Sequence, residues 1–432
     1  MELVGTITLF GTGMNGDCGS LQTDDGDSYG FNLSNVDDEL YDLLTDGNTN
    51  VSSIGRVSFT PGKYQTRWGG EKDIARNMHL EKALENTVEN SETPPTTETD
   101  EGWKTLLTAN EQISHMASQG VLFDPDNREA AIRFLEFRNN YFRVRSFRSG
   151  FKRIDSSGEK QFADLSFGTL AELSNLDAMV RETFLHLTLD IERAAKMELL
   201  RKAEELEDDP YALVDDFLEA EAEKETTAKE NGEHYNGIDL EKLEKSRVKD
   251  PYVGGLIDRY SDGGYPLWAF LELISFGNFN YLYMFSAKRF DDYDMEDNFY
   301  LLQVVKNLRN ACAHGNCILN DLGLTSERQK INRRVLAMVR SLDGVNTNEA
   351  LQLMNNRKVH QLVTTLYAHS CLCPVEQRNA RKAELDALVS RFGGQIDAYE
   401  RGRNTQIMRF IRLFDEVVGK LYPPENGTCP SE

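Results

Sequence analysis

Cysteine is scarce in this 432-residue chain, with six residues at Cys18, Cys312, Cys317, Cys371, Cys373 and Cys429. Scattered so thinly, they make no disulfide framework for a chain of this size and read as reduced thiols. No apolar run is long enough to span a bilayer, and no charged N-terminal region leads into an apolar stretch, so a cytoplasmic location is expected. Positive charge is also short. With 48 Lys+Arg against 71 Asp+Glu the formal net charge is -23, which disfavours indiscriminate binding to nucleic acid but leaves room for a local basic site. The length points to two or three domains.

The chain changes character near residue 82. Before it lie short β-type runs, "LVGTITLF", "DSYGFNL" and "GRVSFTP", separated by Gly, Asp and Asn turn signals. Between Glu85 and Gly102, "ENTVENSETPPTTETDEG" has nothing to bury and reads as a linker. After it, almost every periodic segment is helical: "LTANEQISHMASQGV", "NREAAIRFLEFRNNYFRVRSF", "LAELSNLDAMVRETFLHLTLDIERAAKMELLRKAEEL", "PLWAFLELISFGNFNYLYMF" and "DNFYLLQVVKNLRNACAH". Further helices are expected from Ser326 to Leu421. The acidic run from Glu204 to His234 reads as a solvated helix followed by a loop.

One of these helices ends in an unusual set of side chains. "VVKNLRNACAHGNCILND" carries Val304, Val305, Leu308, Ala311 and Cys312 at helical spacing and Gly315 as a stop signal. Arg309, Asn310 and His314 gather near that stop. Imidazole can move the proton of a ribose 2′-hydroxyl or of a leaving 5′-oxygen near neutral pH, while guanidinium clamps the phosphate and offsets its growing charge. Such chemistry requires no metal. Asn310 and His314, four apart, share a helix face. On spacing alone, a purely structural set is the more common outcome, with Arg309 on a carboxylate, His314 closing the helix C-terminus and Asn310 solvated.

The surrounding text resembles a known family. "LRNACAHGNCILN" is similar to the R-N-x-x-A-H motif, followed by an Asn, of the Abi-like abortive-infection proteins, the AbiD and AbiF group within the HEPN superfamily. Three further blocks match in order: Asn140, Tyr141, Arg143 and Arg148 in "NNYFRVRSFR"; Asp177, Arg181, Ile191 and Glu192 in "LAELSNLDAMVRETFLHLTLDIERAAK"; and Pro266, Trp268, Glu272, Ser275, Phe276 and Gly277 in "PLWAFLELISFG". The agreement covers roughly residues 105 to 325. It implies antiphage abortive infection by endoribonuclease chemistry, with Arg309, Asn310 and His314 as the catalytic set and Asn320 as the trailing Asn. It also implies a homodimer with two motifs facing each other, and some relatives associate with a small structured RNA. The "GNC" and Ile318-Leu319 after His314 depart from the family, which has an aromatic before the final Asn.

Other polar positions belong to the same region. Glu272, in the apolar "LWAFLELISF", either pairs with Arg309 or Arg143 and aims the guanidinium, or faces solvent. Arg138, Arg143, Arg145, Arg148, Lys152 and Arg153 stand among Tyr141, Phe142, Phe147 and Phe151, a mixture suited to phosphates and stacked bases. A zinc site drawn from Cys312, His314 and Cys317, or from His369, Cys371 and Cys373, matches no standard spacing, and neither zinc nor any other cofactor is expected.

The N-terminal segment has its own resemblance. "GTITLFGTGMNGDCGSLQTDDGDSYGFNLSNV", "IGRVSFTP" and "KDIARNM" are similar to a cold-shock domain of the OB type. Where cold-shock proteins present base-stacking aromatics, this chain has Cys18, Ser20, Gly30 and Asn32, with Tyr29 and Phe31 alternating inward. Asp17, Asp24, Asp25, Asp27, Asp37, Asp38, Glu39 and Asp42 surround them, a surface that repels phosphate.

The expected architecture is therefore mainly α: a small OB-like β-barrel over 1–80, a linker over 81–104, an Abi-like HEPN helical domain over 105–325 and its helical extension over 326–432. The expected activity is metal-independent RNA cleavage by 2′-hydroxyl attack, in a homodimer whose contact is led by Val304, Val305 and Leu308. The alternative is a non-catalytic RNA-binding or scaffold protein that holds a small RNA or a partner in a defence system.

Overall fold

The computed structural model describes residues 3–13, 16–23, 27–32, 56–65, 71–80, 106–156, 159–162, 164–232, 235, 237–325 and 327–423. The expected linker lies outside the described residues, as do Asp24, Asp25, Asp37, Asp38, Glu39, Asp42 and Cys429. The chain divides into two units, Met1–Thr108 and Ala109–Glu432.

Among its described residues the first unit holds five strands, β1 (Leu3–Gly13), β2 (Gly16–Thr23), β3 (Ser28–Asn32), β4 (Arg56–Gln65) and β5 (Glu71–Leu80). They close into a barrel in the order β1-β2-β3-β5-β4, with β4 returning to β1; the β3–β5 pair is parallel and the others antiparallel. Side chains alternate faces along a strand. Leu21, Phe31, Val57, Phe59, Ala75 and Met78 are buried, and the Tyr29 and Phe59 ring centroids lie 5.0 Å apart. Cys18 pairs with Asn32 and Ser20 with Gly30, the set that alternates with Leu21 and Phe31.

The second unit opens with α1 (Ala109–Ser118), α2 (Arg128–Phe137) and α3 (Tyr141–Ser146), followed by a hairpin of β6 (Arg153–Ser156) and β7 (Glu159–Phe162). Then come the long α4 (Phe167–Glu205), α5 (Pro210–Glu230), α6 (Leu240–Arg247), α7 (Gly254–Tyr260), α8 (Leu267–Leu273), α9 (Phe276–Arg289) and α10 (Tyr293–Ala313). The remainder is α11 (Arg333–Arg340), α12 (Thr347–Leu353), α13 (Arg357–Leu372), α14 (Val375–Gly393), α15 (Ile396–Arg401) and α16 (Thr405–Leu421). No described helix is long and apolar enough to cross a membrane.

Helix α4 is the axis of this unit, packing against α10, α13 and α14. Leu173, Leu176, Val180, Phe184, Leu187, Ile191, Ala195 and Leu199 recur at steps of three and four and are all buried, so one continuous apolar stripe holds the helix along its length. Ser166 starts it by accepting the Thr169 N–H at 3.1 Å.

Two apolar segments expected as single helices are each split by a capping side chain. Asn140 accepts the Arg143 N–H at 2.9 Å and separates α2 from α3. Ser275 accepts the Asn278 N–H at 3.2 Å and separates α8 from α9. In both, a short polar side chain competes with the helical ladder for backbone donors. The acidic run is also less solvated than its composition suggests: α5 buries Leu213, Val214, Phe217 and the carboxylate-bearing Glu221.

Candidate functional site

Helix α10 packs against α9, α4 and α13 and buries Met295, Leu301, Leu302, Val305, Leu308 and Cys312. Its start is capped by Asp292, which accepts the Asp294 and Met295 N–H groups. Its end is a paired closure in which Gly315 N–H donates to the Cys312 carbonyl at 3.0 Å and Asn316 N–H to the Ala311 carbonyl at 2.9 Å. This closure requires a left-handed residue after the cap, and Gly315 supplies it at φ +68°. His314 is thereby fixed as the residue that caps the helix, its N–H on the Asn310 carbonyl at 2.9 Å, and its side chain, like that of Asn310, is exposed.

Arg309 lies half-buried at the flank of this face. Its guanidinium stands 3.5 Å from the Glu192 carboxylate of α4 and 5.5 Å from the centroid of the Phe276 ring, and its Nη1 donates to Asn310 Oδ1 at 3.2 Å. A carboxylate on one side and a ring face on another hold a side chain that would otherwise sample many rotamers. Of its two expected places Glu272 takes the exposed one, and Glu192 is the carboxylate that meets Arg309. Glu192 was visible in the sequence as one of the matching positions of the long helix, but spacing carried no sign that it faces Arg309.

The segment after His314 is held from α4 as well. Asp177 is fully buried, and its Oδ1 accepts the Ile318 and Leu319 N–H groups at 2.7 Å each while Oδ2 is bonded to Arg181 one turn along. Burial first, and the charge of Arg143 second, pull the Arg181 pKa down from its ordinary value. Asn320 is turned to α13: its backbone carbonyl accepts from Lys358 Nζ at 2.7 Å, and its side-chain oxygen from the same ammonium.

Of the six basic residues of the expected RNA patch, one is buried. Arg138 and Lys152 are exposed, and Arg143, Arg145 and Arg153 are half-buried. Arg143 reaches the motif, with guanidinium nitrogens 3.8 and 3.9 Å from where a Cβ on Gly315 would sit. Arg153 lies 5.0 Å from the Phe162 ring centroid. Arg148 has to be withdrawn from the RNA-binding set: it is 4 % exposed, donates to Gln119 and lies 6.0 Å from the same ring centroid. Phe147 and Phe151 are core residues, whereas Phe142 is 71 % exposed.

The described residues bring no three His, Cys, Asp or Glu together where a metal ion would fit. Burial pushes the Cys312 and Cys373 thiols up to about 12, so both are protonated at neutral pH. His369 is buried, sharing a 2.9 Å hydrogen bond with the Tyr422 hydroxyl, and its Nε2 lies 3.6 Å from Asp190.

No curated protein and no solved structure matches the chain. Residues 134–320 match the family described as Abi-like protein, a span that opens in α2 and closes on Asn320, so that Arg143, Asp177, Arg181, Glu192, Arg309, Asn310 and His314 all fall within it.

Proposed function

We propose that the helical unit is a metal-independent endoribonuclease of the HEPN type that acts in abortive infection. The observation that carries this reading is the exit of α10: an exposed imidazole and amide on one face, beside a guanidinium held by Glu192 and Phe276. His314 takes the proton of the ribose 2′-hydroxyl or delivers one to the leaving 5′-oxygen, and Arg309 offsets the charge that builds on the phosphorus oxygens. Asn310 orients the ring or a phosphate oxygen. Products carry a 2′,3′-cyclic phosphate and a 5′-hydroxyl. The match to the family described as Abi-like protein supports the defence role.

One protomer offers one imidazole at this end of α10, while the reaction uses both a base and an acid. We infer a homodimer in which two α10 helices face each other. Val305 and Leu308, expected at that contact, are buried in the protomer's own core, and Val304 is half-buried. The support comes instead from Tyr293, Tyr300, Asn307 and His314, four exposed residues at seven-residue steps along one helix face. Seven residues make nearly two turns, so the four form one stripe.

The barrel reads as a degenerate OB-type domain, supported by its strand order and the parallel β3–β5 pair. Cys18, Ser20, Gly30 and Asn32 give it nothing to stack on bases. RNA contact is assigned to the helical unit, at Arg143 with the exposed Arg138 and Lys152.

The test is cleavage of RNA by the full chain in excess EDTA. Activity persists there and falls by about 10² to 10⁴-fold in His314→Ala, with cyclic-phosphate ends on the products. Full activity in His314→Ala overturns the mechanism; binding of RNA without cleavage turns the reading to a non-catalytic RNA-holding protein.

A further inference from the structure

We propose that Arg143 and Arg181 form a seat for a second phosphate of the RNA strand, next to the one at His314, with Asp177 as the residue that holds the seat in shape. The proposal rests on the ribonuclease reading above and names how that site grips its substrate.

The two guanidiniums reach the segment Gly315–Leu319 from different helices. Arg143 belongs to the short α3, whose start is tied by Asn140, and its side chain runs to Gly315. Gly315 follows His314 directly, and consecutive Cα atoms are about 3.8 Å apart, so the Arg143 charge stands at the residue next to His314. Arg181 comes from α4, bonded to Asp177, which in turn grips the Ile318 and Leu319 N–H groups.

The charges around this segment do not balance. Asp177 has one oxygen on two backbone N–H groups and the other on Arg181. Among the described residues no carboxylate forms an ion pair with Arg143, and its field acts on Arg181 strongly enough to contribute to the lowered pKa there. Arg143 and Arg181 have one ion-paired carboxylate between them, and Glu182 adds only the weakest of the fields on Arg181, which leaves an excess of positive charge in a chain with a formal net charge of -23. The carbonyls at the end of α10 offset part of it. A phosphate offset by a planar, forked donor is the ligand that completes it, and guanidinium meets phosphate oxygens two at a time.

A flanking phosphate is gripped equally before and during the reaction, so its loss shows in binding and in KM rather than in kcat. In a His314→Ala background, a labelled single-stranded RNA oligonucleotide is titrated against the full chain over a range of salt. Arg143→Gln weakens binding roughly tenfold and lowers the salt slope by about 0.7, the value for one phosphate contact on a single strand. Arg143→Lys keeps the slope, because the charge remains. Arg181→Gln gives the same loss, and the double variant loses little more, since both hold one phosphate. Arg259→Gln, exposed on α7, serves as the control and leaves the slope unchanged. In the chain with His314 intact, Arg143→Gln raises KM and spares kcat.

An unchanged slope in Arg143→Gln, with RNA still bound and cleaved by the unsubstituted chain, overturns the seat and leaves the ribonuclease reading standing. A fall in kcat without a change in slope assigns Arg143 to the reacting phosphate and overturns the seat equally. Failure of the unsubstituted chain to bind or cleave RNA removes the reading and the seat together.

Discussion

The Arg309 guanidinium of α10 stands 3.5 Å from the Glu192 carboxylate of α4. The pair ties the helix that presents the candidate chemistry to the helix that organises the whole unit. The guanidinium reaches the motif face with one edge on a carboxylate and its plane near the Phe276 ring. In the proposed mechanism Glu192 is therefore a positioning residue, acting through Arg309.

Removing that carboxylate releases the guanidinium. Glu192→Ala is expected to lower RNA cleavage by up to about 10²-fold, the cost of misplacing a group by roughly an ångström. Glu192→Asp restores part of the loss because the charge returns with a shorter reach. Glu272→Ala, at an exposed position, leaves the rate unchanged. Equal rates for Glu192→Ala and the unsubstituted chain in a single-turnover assay would show that Arg309 needs no such support.

Asp177 is the buried charge on which the segment after His314 depends. Asp177→Ala leaves two backbone N–H groups and the Arg181 guanidinium without their acceptor. Breaking such an arrangement from one side costs about 3–5 kcal/mol. The unfolding free energy from urea titration is expected to fall by that amount, whereas Glu272→Ala changes it by under about 0.5 kcal/mol. A small shift in Asp177→Ala would mean that water replaces the carboxylate without loss.

Two buried imidazoles predict an acid-side weakness. Burial pushes His360 and His369 down to about 4, with Arg357 adding to the effect on His360 and Asp190 opposing it on His369. In the unfolded chain each titrates near the ordinary value of about 6.5. Between these two values the unfolded chain takes up protons that the folded chain refuses, so stability present above pH 6.5 is lost as the pH falls toward 4. The slope is about 1.4 kcal/mol per pH unit for each imidazole. Urea midpoints measured from pH 7.5 to 4.5 are expected to fall, and His360→Phe removes one proton from that slope. A flat profile over this range would contradict the burial of both rings.

Tyr300 lies on the stripe assigned to the facing protomer, 54 % exposed and 5.9 Å from Lys330 at its ring centroid. In the proposed dimer Tyr300→Glu brings two like charges together across the two-fold contact. Sedimentation is expected to show a dimer that dissociates at concentrations where the unsubstituted protein stays paired, with cleavage lost in parallel. A monomer that cleaves RNA would overturn the facing arrangement.

Much of the helical unit was legible because its signals are local. The stripe of Leu and Val along Phe167–Glu205 and Gly315 after the Arg309–His314 cluster are read from neighbours within a few residues. The caps at Asn140 and Ser275 are local as well, but their effect was masked by apolar periodicity running across them. In the barrel, the period of two correctly turned Phe31 inward.

By itself, the sequence determined that the second unit is mostly helical and that Arg309, Asn310 and His314 share one helix end, because a helix places side chains by count alone. Only the tertiary structure decided which carboxylate meets Arg309, that Arg148 is buried on Gln119, and that Val305 and Leu308 pack inside one protomer. Those outcomes depend on which helices are brought side by side. A side chain's partner there is chosen by shared burial in one core, across stretches of chain that carry no local signal of each other.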